Sequence, residues 1–401
     1  MVADLDVFKT AFATEYQENF YKRAVGAVVA NFRFEKDLKW GVSVDRKILD
    51  MSAIRVRDIT PNVDRTIAAL GDSKETLTID KIKGADFRLS DHDILKDGPL
   101  NAAMKAADDA GKKLALYVDG DILYEVTNLT YAFDNGDLTG TASTGTGITL
   151  SSTTVPQLAT RLQAKNRFRN KQDNEGTILI VDSYAAADMA QYVVGKDIDL
   201  AGTTFQNGYG GKVGGSTLRV SESLTSTAVL TASGTFSNGE TFTINGVTFT
   251  MVSSIGSTAG NILVGANADA SVTNIAGMLN DPSTTSATQV ALSTADQVII
   301  VDDLRLSATA STAADTVTIV GKGSGRLVLA ETAANASWTT NHLYGYYGKP
   351  GFTDVVMQEE VNIEDRKEPK QRTTNYLSDK TYGIKTFADG AVRGLRVILN
   401  A

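Results

Sequence analysis

The chain has no cysteine and only two histidines, His92 and His342, in 401 residues. The first absence excludes disulfides, thiolate metal sites and a cysteine nucleophile, and leaves the compartment open. The second thins the supply of general bases and imidazole ligands before any motif is sought. A long apolar run is missing as well. Val25–Ala30 is far too short to span a bilayer, so no membrane partner is expected. The opening residues carry Asp4, Asp6, Lys9 and Glu15 and no apolar core, so no signal peptide is expected. Positive charge is short too. With 39 Lys and Arg against 47 Asp and Glu the formal charge is −8, so the chain as a whole is no magnet for nucleic acid.

What is present is organised around Pro99–Val126, PLNAAMKAADDAGKKLALYVDGDILYEV. Leu100, Ala103, Met104, Ala107, Gly111, Leu114, Val118 and Ile122 recur every three or four residues, the stripe of an α-helix. Lys105, Asp108, Lys112 and Asp119 fall off that stripe and face water or a polar neighbour. Asp97-Gly98-Pro99 supplies a start signal, since the missing proline N–H costs nothing in a first turn. Such a helix runs about 40 Å, long for a globular protein, and its small residues let a neighbour come close.

Before it, Phe8, Phe12, Tyr16 and Phe20 mark an amphipathic helix over Leu5–Val25. Asn31–Glu75 is dense in charges of both signs and too poor in apolar residues for a core of its own. It fits either a solvated surface segment or an extended hairpin arm on another subunit, and interleaved charge favours the second. Thr76–Leu89 returns as strand. After the long helix, Asn128–Thr154 reads as loop and linker, Val155–Asn166 as helix, and Thr177–Val181 as a buried strand. Ser183 is expected to cap a helix over Tyr184–Val194. Ser216–Val220 is a strand.

From Thr225 to about Asn341 the composition turns rich in Ser, Thr, Ala and Gly and poor in charge, as in an inserted domain. Asn245-Gly246 predicts a two-residue hairpin pairing Ile244 with Val247 and Phe242 with Phe249, all on one face. Val272, Ile275, Ala276 and Leu279 form a short helix ending before Pro282. Val298–Val301, Leu304–Leu306 and Val317–Val320 read as strands. An aromatic cluster (Tyr344, Tyr346, Tyr347, Phe352) follows, then a charged stretch over Glu359–Arg372 and closing strands Tyr382–Phe387 and Leu395–Leu399.

No motif assembles a reaction centre. Gly208–Gly215 lacks a Walker ending and dinucleotide spacing and precedes a strand, so it reads as a tight turn; Gly321–Gly325 fails similarly. Asp119, Asp121 and Glu125 faintly resemble a calcium loop but fall on the helix, so they read as a solvated helix end. Asp91-His92-Asp93 lacks a nucleophile and reads as a polar helix-entry turn. His342 has no visible partner. Arg161, Lys165, Arg167, Arg169 and Lys171, with Phe168 among them, form the one basic run, open to two readings: non-specific phosphate contact or a solvated helix end. No catalytic residue, cofactor-binding residue, metal ligand or cofactor is expected.

The order of parts resembles the major capsid (coat) proteins of tailed bacteriophages, with the HK-ninety-seven-type fold. Leu77–Val126 looks like that family's arm return and spine helix. GTILIVDSYAAADMAQYV (Gly176–Val193) looks like the first strand and helix of its axial domain, GKVGGSTLRVSESL (Gly211–Leu224) like its recurring turn and strand, and YGIKTF (Tyr382–Phe387) like its closing strand. The resemblance covers the chain except 225–341, which looks like the extra domain some members insert. It implies an α+β fold divided into an N-terminal helix and arm (1–30), an extended loop arm (31–76), a peripheral domain with the spine helix (77–135), a first axial part (136–224), the β-rich insertion (225–341) and a return to both domains (342–401).

The function implied is a non-enzymatic, self-assembling subunit of the icosahedral shell around a phage's DNA genome. The partners are itself in hexamers and pentamers, a scaffolding protein, a portal, a decoration protein and double-stranded DNA held without specificity. The place is the virion capsid, assembled in the host bacterial cytoplasm. A thin chain with a long arm suits that role, because it buries much of its surface only against neighbours. A nanocompartment shell around a cargo enzyme shares the fold, although the long insertion argues against it. A β-sandwich adhesin or tail-associated protein is opposed by the spine helix, and an enzyme by the missing acid, base or metal set.

Overall fold

The computed structural model describes residues 24–35, 39, 41–50, 71–90, 99–170, 175–194, 212–213, 215–358, 362–368 and 373–401. The helix expected over Leu5–Val25 lies almost wholly outside these residues, as do Asp91-His92-Asp93, Lys171 and most of Gly208–Gly215. In chain order the elements are α1 (Gly26–Val29), β1 (Ala30–Glu35), β2 (Ser43–Asp50), β3 (Gly71–Thr78), β4 (Lys81–Gly84), β5 (Phe87–Ser90), α2 (Pro99–Tyr124), β6 (Tyr131–Phe133), α3 (Asn135–Thr139), α4 (Thr154–Asn170), β7 (Ile178–Val181), α5 (Ser183–Val194), β8 (Lys212–Val213) and β9 (Ser216–Val220). There follow β10 (Thr225–Ala232), β11 (Thr241–Ile244), β12 (Val247–Val252), β13 (Asn261–Leu263), α6 (Ala268–Asn280), α7 (Thr294–Gln297), β14 (Leu306–Ser311), β15 (Thr316–Gly321), β16 (Leu329–Glu331), β17 (Ala336–Gly348), β18 (Thr353–Gln358), β19 (Asn362–Glu368), β20 (Thr373–Lys385) and β21 (Gly394–Asn400). The fold is α+β, and the chain divides into two compact units.

The first unit includes Ala30–Leu114 and Gly351–Ala391. Its sheet runs β1-β18-β20-β19, with β4 and β5 also on β20; β1 lies parallel to β18. The start of the expected 31–76 arm is therefore sheet strand rather than free loop. Along β20, Thr374, Tyr376, Ser378 and Lys380 are buried in alternation, as a pleated strand requires. The Tyr376 ring stacks on Phe87 with centroids 5.1 Å apart. Leu77, Ile79, Val356 and Phe387 form a small core with Val44 packed against it. Strands β2 and β3 pair in register from Ser43–Thr78 out to Asp50–Gly71. Arg46 anchors the base of this hairpin, bonding Asp354 at 2.9 Å and Asp389 at 2.7 Å.

The second unit includes Gln17–Val29, Ala115–Pro350 and Val392–Ala401. Its large sheet runs β14-β15-β10-β17-β7-β9-β8, with β21 on β17 and β6 on β21. Residues 342–344 of β17 pair with both β10 and β21, and residues 346–348 with both β7 and β21. Since a strand has two edges, β10 and β7 share one edge of β17 in succession. The 225–341 segment thus continues the central sheet. A second sheet, β13-β12-β11-β16, carries the expected hairpin in the expected register, Ile244–Val247 and Phe242–Phe249. Those four side chains are all buried, in one core with Leu230, Val272, Ile275, Leu279, Val317 and Ile319. Phe242 stacks on Phe249 at 4.9 Å and meets Trp338 edge-on at 6.3 Å.

Helix α2 has the predicted start at Pro99 and ends at Tyr124. Ala110, Gly111, Leu114, Val118 and Ile122 are buried as their spacing requires, and Ala115, Asp119, Gly120, Asp121 and Leu123 are buried with them. Its C-terminal half is therefore covered nearly all round, which a single stripe does not predict.

Several expectations for single elements fail, among them Leu304–Leu306, where the strand begins only at Leu306. Val298–Val301 is not a strand: Ser293 Oγ accepts from Asp296 N at 3.2 Å to start α7, and Val298–Asp303 continues as a wide π-turn. A short apolar run cannot by itself separate strand from helix. Asn128–Thr154 is not slack linker. It holds β6 and α3, whose capping box joins Asp137 N to Asp134 Oδ1 at 3.3 Å and Asp134 N to Asp137 Oδ2 at 3.0 Å, over buried Phe133, Leu138 and Ile148.

The Asn-Gly turn places Asn245 at φ 47° and Gly246 at φ 84°. Gly246→Ala is expected to lower the unfolding free energy by about 1–2 kcal/mol, and Phe249→Ala by about 3–5 kcal/mol, both read from urea denaturation of the full chain.

Candidate functional site

The densest set of buried charges in the second unit lies where loops of 225–341 meet α2 and the start of α5. Tyr117, Asp121 and Tyr124 are spaced four and three apart, so they form a stripe beside the apolar one. Arg305 fills the first part of it. Its guanidinium pairs with Asp121, donates to Tyr117 O at 3.1 Å and sits 3.6 Å from the centre of the Tyr117 ring. Lys322 Nζ lies 4.4 Å from the centre of the Tyr124 ring. Arg326 pairs with Asp182 and lies over the Tyr184 ring at 5.4 Å.

Asp182 is fully buried and also accepts from Ala185 N at 3.1 Å, so it caps α5 in place of the expected Ser183. Between these cations the chains touch backbone to backbone. A Cβ on Gly120 would stand 2.9 Å from Gly323 Cα, and Gly323 itself has φ +69°. Within Gly321–Gly325, Gly323 thus serves close approach to α2 and Gly325, at φ +64°, close approach to the Glu222 backbone, a structural turn as expected.

The calcium-like residues are not a solvated helix end. Asp121 is consumed by Arg305, and Asp119 is 1% exposed. Asp119 Oδ1 accepts from Gly26 N at 2.6 Å and its Oδ2 from the Ser221 hydroxyl at 3.4 Å. The polar neighbour expected off the apolar stripe is therefore the backbone of α1. Burial outweighs these hydrogen bonds and pushes the Asp119 carboxyl up to about 7.

His342, without a visible partner in the sequence, accepts at Nε2 from Gly147 N at 3.2 Å, and burial pushes its pKa down, favouring the neutral acceptor form. Among the described residues no three His, Cys, Asp or Glu side chains gather as a metal site.

The basic run divides. Lys165 bonds Asp137 Oδ2 at 2.5 Å and Ser143 Oγ at 3.0 Å, docking α4 on α3. Arg161, Arg167 and Arg169 stay exposed, with the Arg169 guanidinium 5.7 Å from the Tyr131 ring and 5.2 Å from the Phe168 ring. Sequence reasoning missed the cationic clamp because its members are scattered over more than two hundred residues. The spacing of Tyr117, Asp121 and Tyr124 was its one local signal.

No family model matches this chain, and no curated protein matches it. Among solved structures it is similar to the capsid of the cyanophage P-SCSP1u, at 10% identity and a TM-score of 0.47 over 94% of this chain and 88% of that one. It is similar to the mature capsid of bacteriophage PhiM1, at 11% identity and a TM-score of 0.45 over 94% and 87%. It is also similar to a virus-like particle from Pyrococcus furiosus, at 10% identity and a TM-score of 0.41 over 98% of each chain.

Asp121 and Arg305 form a nearly buried pair, with side chains 7% and 11% exposed. Arg305→Ala strands the carboxylate and is expected to lower unfolding free energy by about 3–5 kcal/mol in urea melts. Arg305→Lys recovers only part, because it keeps the charge and loses the planar stack. Asp119 gives a pH signature. Its folded pKa near 7 lies above the ordinary value of 3.8, so the folded state binds the extra proton in between. The stability it contributes is full at acid pH below the ordinary value and is lost as pH rises through the folded value. Asp119→Asn is expected to flatten the fall in stability between about pH 5 and about pH 8, measured by urea unfolding across that range.

Proposed function

We propose that this chain is a major capsid protein of a tailed phage: a structural, non-catalytic subunit that self-assembles as hexamers and pentamers into the icosahedral shell around double-stranded DNA. The observation that carries this is the hairpin of β2 and β3. Among the described residues its strands pair only with each other. One half of it packs on the first-unit sheet through Val44, Leu77 and Arg46, but two strands alone are marginal in water, so the outer half of these eight registered pairs needs cover. Its exposed charges are of both signs, Asp45 pairing with Lys74 at 2.6 Å while Lys47 stands opposite Lys74, which suits register against a neighbouring copy.

The order of the remaining parts supports the same reading. A long helix follows the hairpin, a strand–helix unit follows it, and the last strands return to both sheets. In this proposal 31–76 supplies the arm from Ser43 onward, and 77–135 the peripheral domain with α2 as spine. Segments 136–224 and 342–401 supply the axial domain and the return, and 225–341 the insertion. A scaffolding protein, a portal and a decoration protein are the further partners. The setting is the virion, built in the host bacterial cytoplasm.

Expression of the full chain, alone and with candidate scaffold genes, is expected to give closed polyhedral shells, hexamers or pentamers by negative-stain electron microscopy. A monodisperse monomer under every condition overturns the proposal, and shells filled with a protein cargo in place of nucleic acid point to a nanocompartment. The charge swap Asp45→Lys with Lys74→Asp keeps the pair within the hairpin and inverts what a neighbour meets. It is expected to leave thermal unfolding of the subunit unchanged and to block assembly.

A further inference from the structure

We propose that the exposed face of α4 binds the phosphate backbone of double-stranded DNA through Arg161, Arg167 and Arg169, without reading its sequence. The biological setting of this contact rests on the shell reading above; the geometry does not. Helix α4 buries Val155, Leu158, Leu162 and Asn166, which recur at three and four, and leaves Arg161, Ala164 and Arg167 on the opposite side, while Arg169, on the side of Asn166, is exposed where the helix ends.

The helix contains no acidic residue in its 17 positions, in a chain whose formal charge is −8. Its cations are not interchangeable. Lys165 is spent on Asp137 and Ser143, whereas no described carboxylate forms an ion pair with any of the three arginines. Arg167 and Arg169 lie in the last turn, where they also complement the helix dipole. Arg161 lies mid-helix, so the dipole does not explain it.

Arg169 is flanked by the rings of Tyr131 and Phe168. A guanidinium drawn to ring faces by cation–π attraction spends none of its N–H donors there and keeps them for a phosphate. Arg161 and Arg167 are separated by about 9 Å of helix rise. Phosphates of one strand recur every ~3.4 Å of duplex axis, so the two arginines reach phosphates two or three positions apart. Three contacts of this kind are few, which suits a wall that must also let its genome go. An acidic surface of a second copy is the competing occupant. The absence of any carboxylate from this helix, whose exposed charges are all positive, favours a uniform polyanion instead.

The test is binding of the full-length protein to a mixed-sequence duplex of about 40 base pairs across a salt series, by fluorescence anisotropy. Arg161→Gln, Arg167→Gln and Arg169→Gln together are expected to reduce the log–log salt slope by about 2 to 3, and Arg167→Gln alone by about 1. Glutamine is a good helix former, so the helical circular dichroism is expected to stay unchanged. Lys105→Gln with Lys113→Gln, two exposed cations of α2, is the control for loss of positive charge elsewhere, matched in charge to Arg161→Gln with Arg167→Gln, and is expected to leave the slope as it was.

An unchanged slope in the triple variant overturns the inference, as does a wild-type protein that does not bind the duplex. A triple variant that keeps DNA binding and loses self-association assigns the face to a second copy and overturns it too. Normal shells with an unchanged slope leave the capsid reading standing, whereas failure of the wild type to form any shell counts against that reading alone.

Discussion

Every backbone donor and acceptor on a buried strand must find a partner, and in the second unit that requirement falls on β17. One of its edges is covered by β21 over its last residues. The other is covered first by β10 and then by β7. Because β7 meets only residues 346–348 of β17, that edge at residues 342–344 would be open without β10 from the 225–341 segment. The segment is thus the element that closes the central sheet. Its core of Phe242, Phe249, Val272 and Ile275 lies beyond the strands that do so.

The sheet alone leaves the polar side of α2 uncovered. Arg305, Lys322 and Arg326 come from loops of the same segment, and each lands on an aromatic ring on α2 or at the start of α5. Ion pairs taken out of water gain little by themselves, since desolvation offsets most of the attraction. What they provide here is position. Asp121 accepts only a cation at that place, and the Gly120–Gly323 approach leaves no room for another seating. One segment therefore closes the sheet by backbone pairing and seats α2 by charge and by a close approach that excludes a methyl group.

Much of this architecture could be read from the residues. Pro99 announced α2, Asn245-Gly246 announced a hairpin register down to the pair, and the apolar run before Asp182 announced a fully buried strand. These are local signals, each set by one turn or one period. The clamp was not legible, because Arg305 finds Asp121 across the fold, and the spacing of Tyr117, Asp121 and Tyr124 marks a stripe on α2 without naming its partner. Burial of Asp119 was hidden for the same reason: its partner Gly26 N–H carries no side-chain signature. Val298–Val301 was misread because four apolar residues suit a strand and a helical turn equally, and the deciding cap, Ser293, stands outside the run. The basic run looked uniform in sequence, and only the fold separates Lys165, which docks α4, from the arginines around it.

The 225–341 segment enters the sheet at Thr225, which faces Tyr344, three residues beyond the segment's last residue. Directly opposed residues in an antiparallel pair stand about 5 Å apart. Thr225 and Tyr344 are therefore as close as the ends of a tight turn, with more than a hundred residues between them. Such a segment behaves as a cassette: it can lengthen, shorten or acquire a foreign sequence at its far loops without stretching its attachment. Selection on those loops is uncoupled from selection on the framework, provided that β10 and β17 stay paired and the three cations keep their seats.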